Sequence, residues 1–296
     1  MSDSNTFLPI LTCLRTRFHA DLAVHKQACP AIDCRMKLEK HFVEKPWGRT
    51  DIPAEFGTMS GRRVGEIWYS ANTETPLPIL VKWLFTSERL SIQVHPDDAQ
   101  ARERGMPSGK EECWYVVDAE LGAVIGVGTK RSLSSEELYA ASLSGEIEGL
   151  MDWKKVSPGD YFYIPAGTVH AIGAGITLVE VQQYADITYR LYDYGRDREL
   201  HLDDGVAVSS ATPYTDTRSG NALTGTQLVD GPHFELWYVG EIDAVPALPS
   251  SGNIWITPLS GQIHTDGEVA AKGDCVVTSA NAKITFSSDA KALIAF

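Results

Sequence analysis

Three short stretches of this 296-residue sequence place metal-binding side chains at the spacing of β-strands. In Gln93-Val94-His95, residues two apart project from one face of an extended chain, so Gln93 and His95 can share a target. Lys110-Glu111-Glu112 leads into Cys113-Trp114-Tyr115, where Lys110 and Glu112 form a second pair on one face. In the third stretch, Asp160–Ile164 runs as a strand into Pro165-Ala166-Gly167, and that turn fixes the direction in which His170 enters the next strand. Two imidazoles, one carboxylate and one amide oxygen make a mixed nitrogen and oxygen set suited to zinc, with a position left for water or a substrate oxygen. One carboxylate against a divalent cation leaves a net charge of about +1, so the centre stays a Lewis acid able to polarise a carbonyl. Taken singly, Gln-Val-His is an ordinary polar strand end and Pro-Ala-Gly-Thr-Val-His an ordinary turn; the ordered combination carries the reading.

Strands must position these residues. Short β-rich runs at Val64–Tyr69, Ile79–Phe85, Leu90–Val94, Glu112–Val117, Ala123–Val127, Asp160–Ile164 and Thr177–Gln183 alternate with Pro, Gly and charged turns, which predicts a sandwich or barrel. Pro96-Asp97-Asp98-Ala99 supplies the proline and acids of a helix's first turn, and Gly105 can stop that helix. Ser134-Ser135-Glu136-Glu137 reads as a capped start, and Leu138, Ala141, Leu143, Ile147 and Leu150 follow at roughly helical spacing, predicting a helical insertion at 134–152. After a polar stretch near 211–226, Phe234–Val239, Ile254–Thr257, Cys275–Thr278 and Ile284–Phe286 predict a second β unit.

Acidic residues outnumber basic ones, 39 to 26, and no basic cluster marks a nucleic-acid surface. No apolar run approaches the roughly 20 residues of a membrane span. The run Phe7-Leu8-Pro9-Ile10-Leu11 lacks a preceding positive charge and a cleavage site, so the expectation is a soluble, cytoplasmic protein without membrane or nucleic-acid partners. Five scattered cysteines, an odd number, fit reduced thiols, and the offset of Cys29 and Cys34 matches no zinc knuckle. Residues 1–35 show no sustained period and are expected to form a weakly ordered extension, with Met36 an alternative translation start.

Beyond the ligand spacing, Lys45-Pro46-Trp47-Gly48, Ser91-Ile92-Gln93-Val94-His95-Pro96, Glu112-Cys113-Trp114-Tyr115, Pro165-Ala166-Gly167-Thr168-Val169-His170 and Asp186-Ile187-Thr188-Tyr189-Arg190-Leu191-Tyr192-Asp193-Tyr194 resemble the short bacterial form of type I mannose-6-phosphate isomerase. The resemblance implies a mainly β fold, a cupin-type double-stranded β-helix or jelly roll over 36–215, followed by a smaller degenerate cupin-like unit over 216–296. It also implies one zinc ion per chain on Gln93, His95, Glu112 and His170. Glu111 is the competing carboxylate, and strand alternation turns it to the opposite side. Lys110, Asp186 and Arg190 are implied around a sugar-phosphate substrate, with Lys82 and Ser91 lining the site. The implied reaction interconverts mannose 6-phosphate and fructose 6-phosphate by proton transfer between C1 and C2 through an enediol(ate). Arg190 suits phosphate or transition-state oxygens, Lys110 beside a metal can have its pKa lowered enough to join proton transfer, and Asp186 is an orienter or base. Ile172 stands where longer relatives carry Tyr, two residues past the last histidine.

Plainer readings stand beside these. Arg190 can simply pair with Asp186 or Asp193, and Lys82 can point outward. His201 is a surface or core histidine or a support to the site, and His41, His233 and His264 lack ligand-spaced partners. The tryptophans read as packing. Two other functions remain open at this level, an Fe(II)-dependent oxygenase and a sugar-binding barrel without catalysis, and the sequence sets no oligomeric state.

Overall fold

Alternation along the apolar runs builds two facing antiparallel sheets. In the computed structural model the described residues are 36–296, without 59–60, 72, 74–76, 223–225, 240–247, 250 and 266. The expected extension at 1–35, with Cys13, Cys29 and Cys34, lies outside the described residues. One sheet has seven strands in the order Ser219–Asn221, Asp160–Ile164, Glu112–Ala119, Ile176–Gln183, Ile79–Phe85, Val64–Ser70 and Glu39–Arg49. Facing it, a five-stranded sheet runs Tyr189–Tyr192, Ile92–Val94, His170–Ile172, Val124–Thr129 and Met151–Lys155. This is the mainly β, cupin-type double-stranded β-helix that was expected.

The central strands are buried on both faces. Every residue of Ile79–Phe85 is buried, because Val81 and Trp83 pack outward with Val179, Val181, Cys113 and Tyr115, while Leu84 packs between the sheets with Trp114, Val116 and Leu178. Such strands read as near-continuous apolar runs, so a charge inside one demands an explanation. Register supplies it: Trp68 pairs with Lys82, Lys82 with Glu180, and Glu180 with Trp114, forming a polar row across four strands on the interior face.

The helix after His95 spans Asp98–Glu103, with a reciprocal capping box between Asp97 and Gln100 and Gly105 left-handed just beyond its end at φ 76°. The expected insertion at 134–152 differs in detail. Ser134 caps a helix at Ser135–Ser144, but Gly145 is left-handed at φ 83° and ends it; a single turn follows at Ile147–Leu150, and Met151 already belongs to a strand. Leu138, Ala141 and Ile147 are buried, whereas Leu143 is 66% exposed because it falls five residues, about 140°, from Leu138 around the helix.

The later strands form a six-stranded sheet, Met36–Lys37, Val276–Ser279, Asn253–Ser260, Lys291–Ala295, Glu235–Val239 and Thr226–Asp230, over a three-stranded one. The two regions exchange elements: Met36–Lys37 pairs with Val276–Val277 of the later sheet, and Ser219–Asn221 pairs with Asp160–Phe162 of the earlier one. Leu236, Tyr238, Trp255, Val277 and Leu293 pack on the outer face of the seven-stranded sheet. Cys113 and Cys275 are free and buried, and among the described residues no helix is long and apolar enough to cross a membrane.

Candidate metal centre and catalytic cavity

Three strands bring their ligands to one point. His170 is directly paired with Gln93 across the five-stranded sheet, and Glu112 reaches the same point from the facing sheet. One ligand atom each from His95, Glu112 and His170 lie within 4.8 Å of one another, all three residues buried. Glu112 stands between the histidines, with its carboxylate oxygens 3.5 Å from His95 Nε2 and 3.5 Å from His170 Nε2. The Nδ1–H of His170 donates to the Thr168 carbonyl at 2.8 Å, which fixes the tautomer and leaves Nε2 a bare lone pair facing Glu112. Gln93 Nε2 lies 3.3 Å from His170 Nε2 while its Oε1 accepts from Ser91 at 3.0 Å; a half-turn of the amide exchanges the two atoms, and the serine hydroxyl can accept instead.

Electrostatics at this point favour a cation. Burial and the neighbouring Lys110 charge push His95 down to about 4, and burial lowers His170 as well, so both imidazoles are neutral ligands at neutral pH. Burial alone would raise Glu112, but Lys110 and the two histidines carry its carboxyl well below the ordinary range. Among the described residues, Glu112 Oε1 and His95 Nδ1 are buried without a hydrogen-bond partner, and the Lys110 ammonium, 2.7 Å from Oε2, meets only the other carboxylate oxygen, an arrangement that costs about 1–3 kcal/mol for each orphaned atom unless something else satisfies it. A divalent ion bound to His95, Glu112 and His170 would do so, and neutral nitrogen with anionic oxygen donors is the set such ions take.

Through Gln93, 3.3 Å from His170, and Lys110, 2.7 Å from Glu112, the centre borders a cavity of about 370 Å³ whose lining also includes Lys82, Ser91, Asp186 and Arg190, so every substrate and catalytic position expected from the sequence reaches it. Lys110 Nζ is 2.7 Å from Glu112 Oε2 and 3.7 Å from Glu180 Oε1. Burial opposes its charge, yet the two carboxylates overcome that and raise its pKa above the ordinary lysine value. Lys82 turns inward rather than outward, 3.0 Å from Glu180 Oε1 and over the Trp68 ring at 4.4 Å. Arg190 pairs with neither acid considered from the sequence: Asp193 instead accepts from Arg196 and Arg198. Arg190 Nε donates to the Glu199 carbonyl and its backbone N–H to His201 Nδ1, so His201 supports the strand that presents Arg190. Asp186 is exposed at the rim, and Ile172 forms part of the wall.

No protein-family model matches the chain. A mannose-6-phosphate isomerase of Streptococcus mutans is 38% identical, the match covering 76% of this chain and 84% of the relative. The chain belongs to the mannose-6-phosphate isomerase family. The mannose-6-phosphate isomerase ManA of Bacillus subtilis is 39% identical over 56% of this chain and 65% of its own length. The crystal structure of a mannose 6-phosphate isomerase from Bacillus subtilis superposes with a TM-score of 0.75 at 27% identity, covering 89% of this chain and 99% of that one.

Within the isomerase family fold, sequence reasoning overlooked several cavity residues. Glu180 is the foremost: 4% exposed, it accepts from Trp114 Nε1 at 2.9 Å and pairs with Lys82. Its signal was the one charged residue of its strand, set between Val179 and Val181. Lys45, Glu66 and Arg198 also line the cavity. The lining holds five lysines and arginines against three acids, in a chain of net charge -13, so it is a local cationic well on an acidic protein.

Proposed function

We propose that this chain is a zinc-dependent aldose-ketose isomerase interconverting mannose 6-phosphate and fructose 6-phosphate, with one zinc ion per chain on Gln93, His95, Glu112 and His170. One observation carries the reading: a buried His-Glu-His cluster lies beside a cationic cavity and is joined to it by Gln93 and Lys110, in a chain 38% identical to a mannose-6-phosphate isomerase. Bound zinc supplies a Lewis acid for the substrate's carbonyl and hydroxyl oxygens as negative charge develops on them.

The chain's own residues supply the rest. Arg190, its Nε held by the Glu199 carbonyl and its strand by His201, has terminal nitrogens with no hydrogen-bond partner among the described residues, and these take phosphate or transition-state oxygens. Lys110 stays an ammonium between Glu112 and Glu180 and donates to the oxygen that gains charge between C1 and C2. Glu180, at 3.7 Å from Lys110 and facing the cavity, is placed to take the carbon-bound proton from one carbon and return it to the other. Asp186 orients substrate hydroxyls from the rim, and Lys82 with Ser91 bind the substrate. Trp47, Leu84, Leu90 and Ile172 exclude water from the reacting carbons. Residues 36–215 carry the chemistry and 216–296 a supporting β unit, working in the cytoplasm.

A coupled assay tests this. Turnover of both mannose 6-phosphate and fructose 6-phosphate is expected, with unphosphorylated mannose inert at the same concentration. Oxygen consumption with bound iron and no isomerisation would overturn it.

A further inference from the structure

The strand that presents Lys110 and Glu112 also turns Glu111 to its other side, where it meets the C-terminal unit. There the Tyr163 hydroxyl donates to the Glu111 carboxylate, and His233 Nε2 lies 4.0 Å from the same oxygen. The backbone here is pinned residue by residue. Gly109 N–H donates to Asp98 Oδ1 at 2.8 Å, Lys110 N–H to the Pro96 carbonyl at 3.0 Å, and Glu111 N–H to Gln183 Oε1 at 2.9 Å.

That last bond orders the rest. A backbone N–H needs an acceptor, so the Gln183 amide must turn its oxygen to Glu111 and its NH₂ away. The NH₂ group then donates to Asp98 Oδ1 at 3.0 Å and to His233 Nδ1 at 3.1 Å. His233 Nδ1 is thereby an acceptor, and its proton sits on Nε2, toward Glu111. Gln183 is the hub, and His233 occupies its second donor.

We propose that His233 is a positioning residue for the isomerase: through Gln183 and Glu111 it holds the 109–112 backbone so that Lys110 aims into the cavity and Glu112 at the two histidines. The proposal rests on the isomerase reading of that cavity. Groups that orient ligand-bearing segments in this way change activity by about 10–100-fold when removed.

The test compares His233→Leu, which removes the acceptor, with His233→Asn, whose Oδ1 can stand where Nδ1 stood, in the zinc-loaded full chain. The His233 side chain is 29% exposed, so neither change opens a core cavity. Leucine is expected to lower kcat at least about tenfold with KM unchanged, and to speed amide hydrogen exchange of the 109–112 segment. Asparagine is expected to restore both. Wild-type kcat and exchange in the leucine variant, or an asparagine variant as impaired as leucine, would overturn the proposal. Absence of isomerase activity in the wild type would instead overturn the functional reading, while the exchange comparison still decides the clamp.

Discussion

Mild acid should destabilise the metal-free protein through its histidine ligands before its carboxylates titrate. His95 is held down to about 4 from an ordinary 6.5 by burial and by Lys110. The unfolded chain therefore takes up a proton that the folded chain refuses, and stability falls as pH drops from about 6.5 toward 4. With those two values the loss between about pH 7.5 and about pH 5 comes to about 2 kcal/mol from His95 alone. His170, lowered by burial, adds a loss of the same sign. The assay is urea unfolding of metal-stripped protein at both pH values, for wild type and His95→Gln. Wild type should lose about 2 kcal/mol more than the variant across that window. Equal losses would refute the reasoning, because proton uptake at residue 95 would then not differ between folded and unfolded chains.

Glu112→Ala or His170→Ala should abolish turnover together with zinc retention, whereas Arg190→Ala should abolish turnover and keep the zinc; activity and metal content on the same samples separate the two cases. Glu180→Gln removes the carboxylate shared by Lys82 and Lys110, and should cost about 3 kcal/mol of stability in chemical unfolding and at least about 100-fold in kcat. In Gly109→Ala a new Cβ would sit 2.4 Å from the Asp97 backbone carbon, so that segment must move, at about 1–3 kcal/mol by thermal melting and with reduced kcat.

The candidate cluster was legible because Gln93 with His95, and Lys110 with Glu112, stand at strand period, and a Pro-Ala-Gly turn leads to His170. Alternation alone separated Glu112, facing the centre, from Glu111, facing Tyr163. The strands Ile79–Phe85 and Asp160–Ile164 stood where their β-branched and aromatic runs put them. Pairing across the sheet was not legible, because register is a long-range property: nothing local to Lys82 announces that Glu180, 98 residues later, will stand opposite. Glu180 and Glu66 were missed for that reason. His201 and His233 act through contacts with Arg190 and Gln183 that follow from topology, and neither carries a ligand-like spacing. The helical insertion was misread at its end because Gly145 breaks a pattern that the apolar spacing alone continues.

The most direct measurement is a zinc titration of the metal-stripped chain, with isomerisation of mannose 6-phosphate followed at each addition. Activity should be absent after stripping and rise linearly to a plateau at one zinc per chain, with His170→Ala flat throughout. Full activity in protein shown to contain no metal, or a plateau reached equally by His170→Ala, would contradict the account.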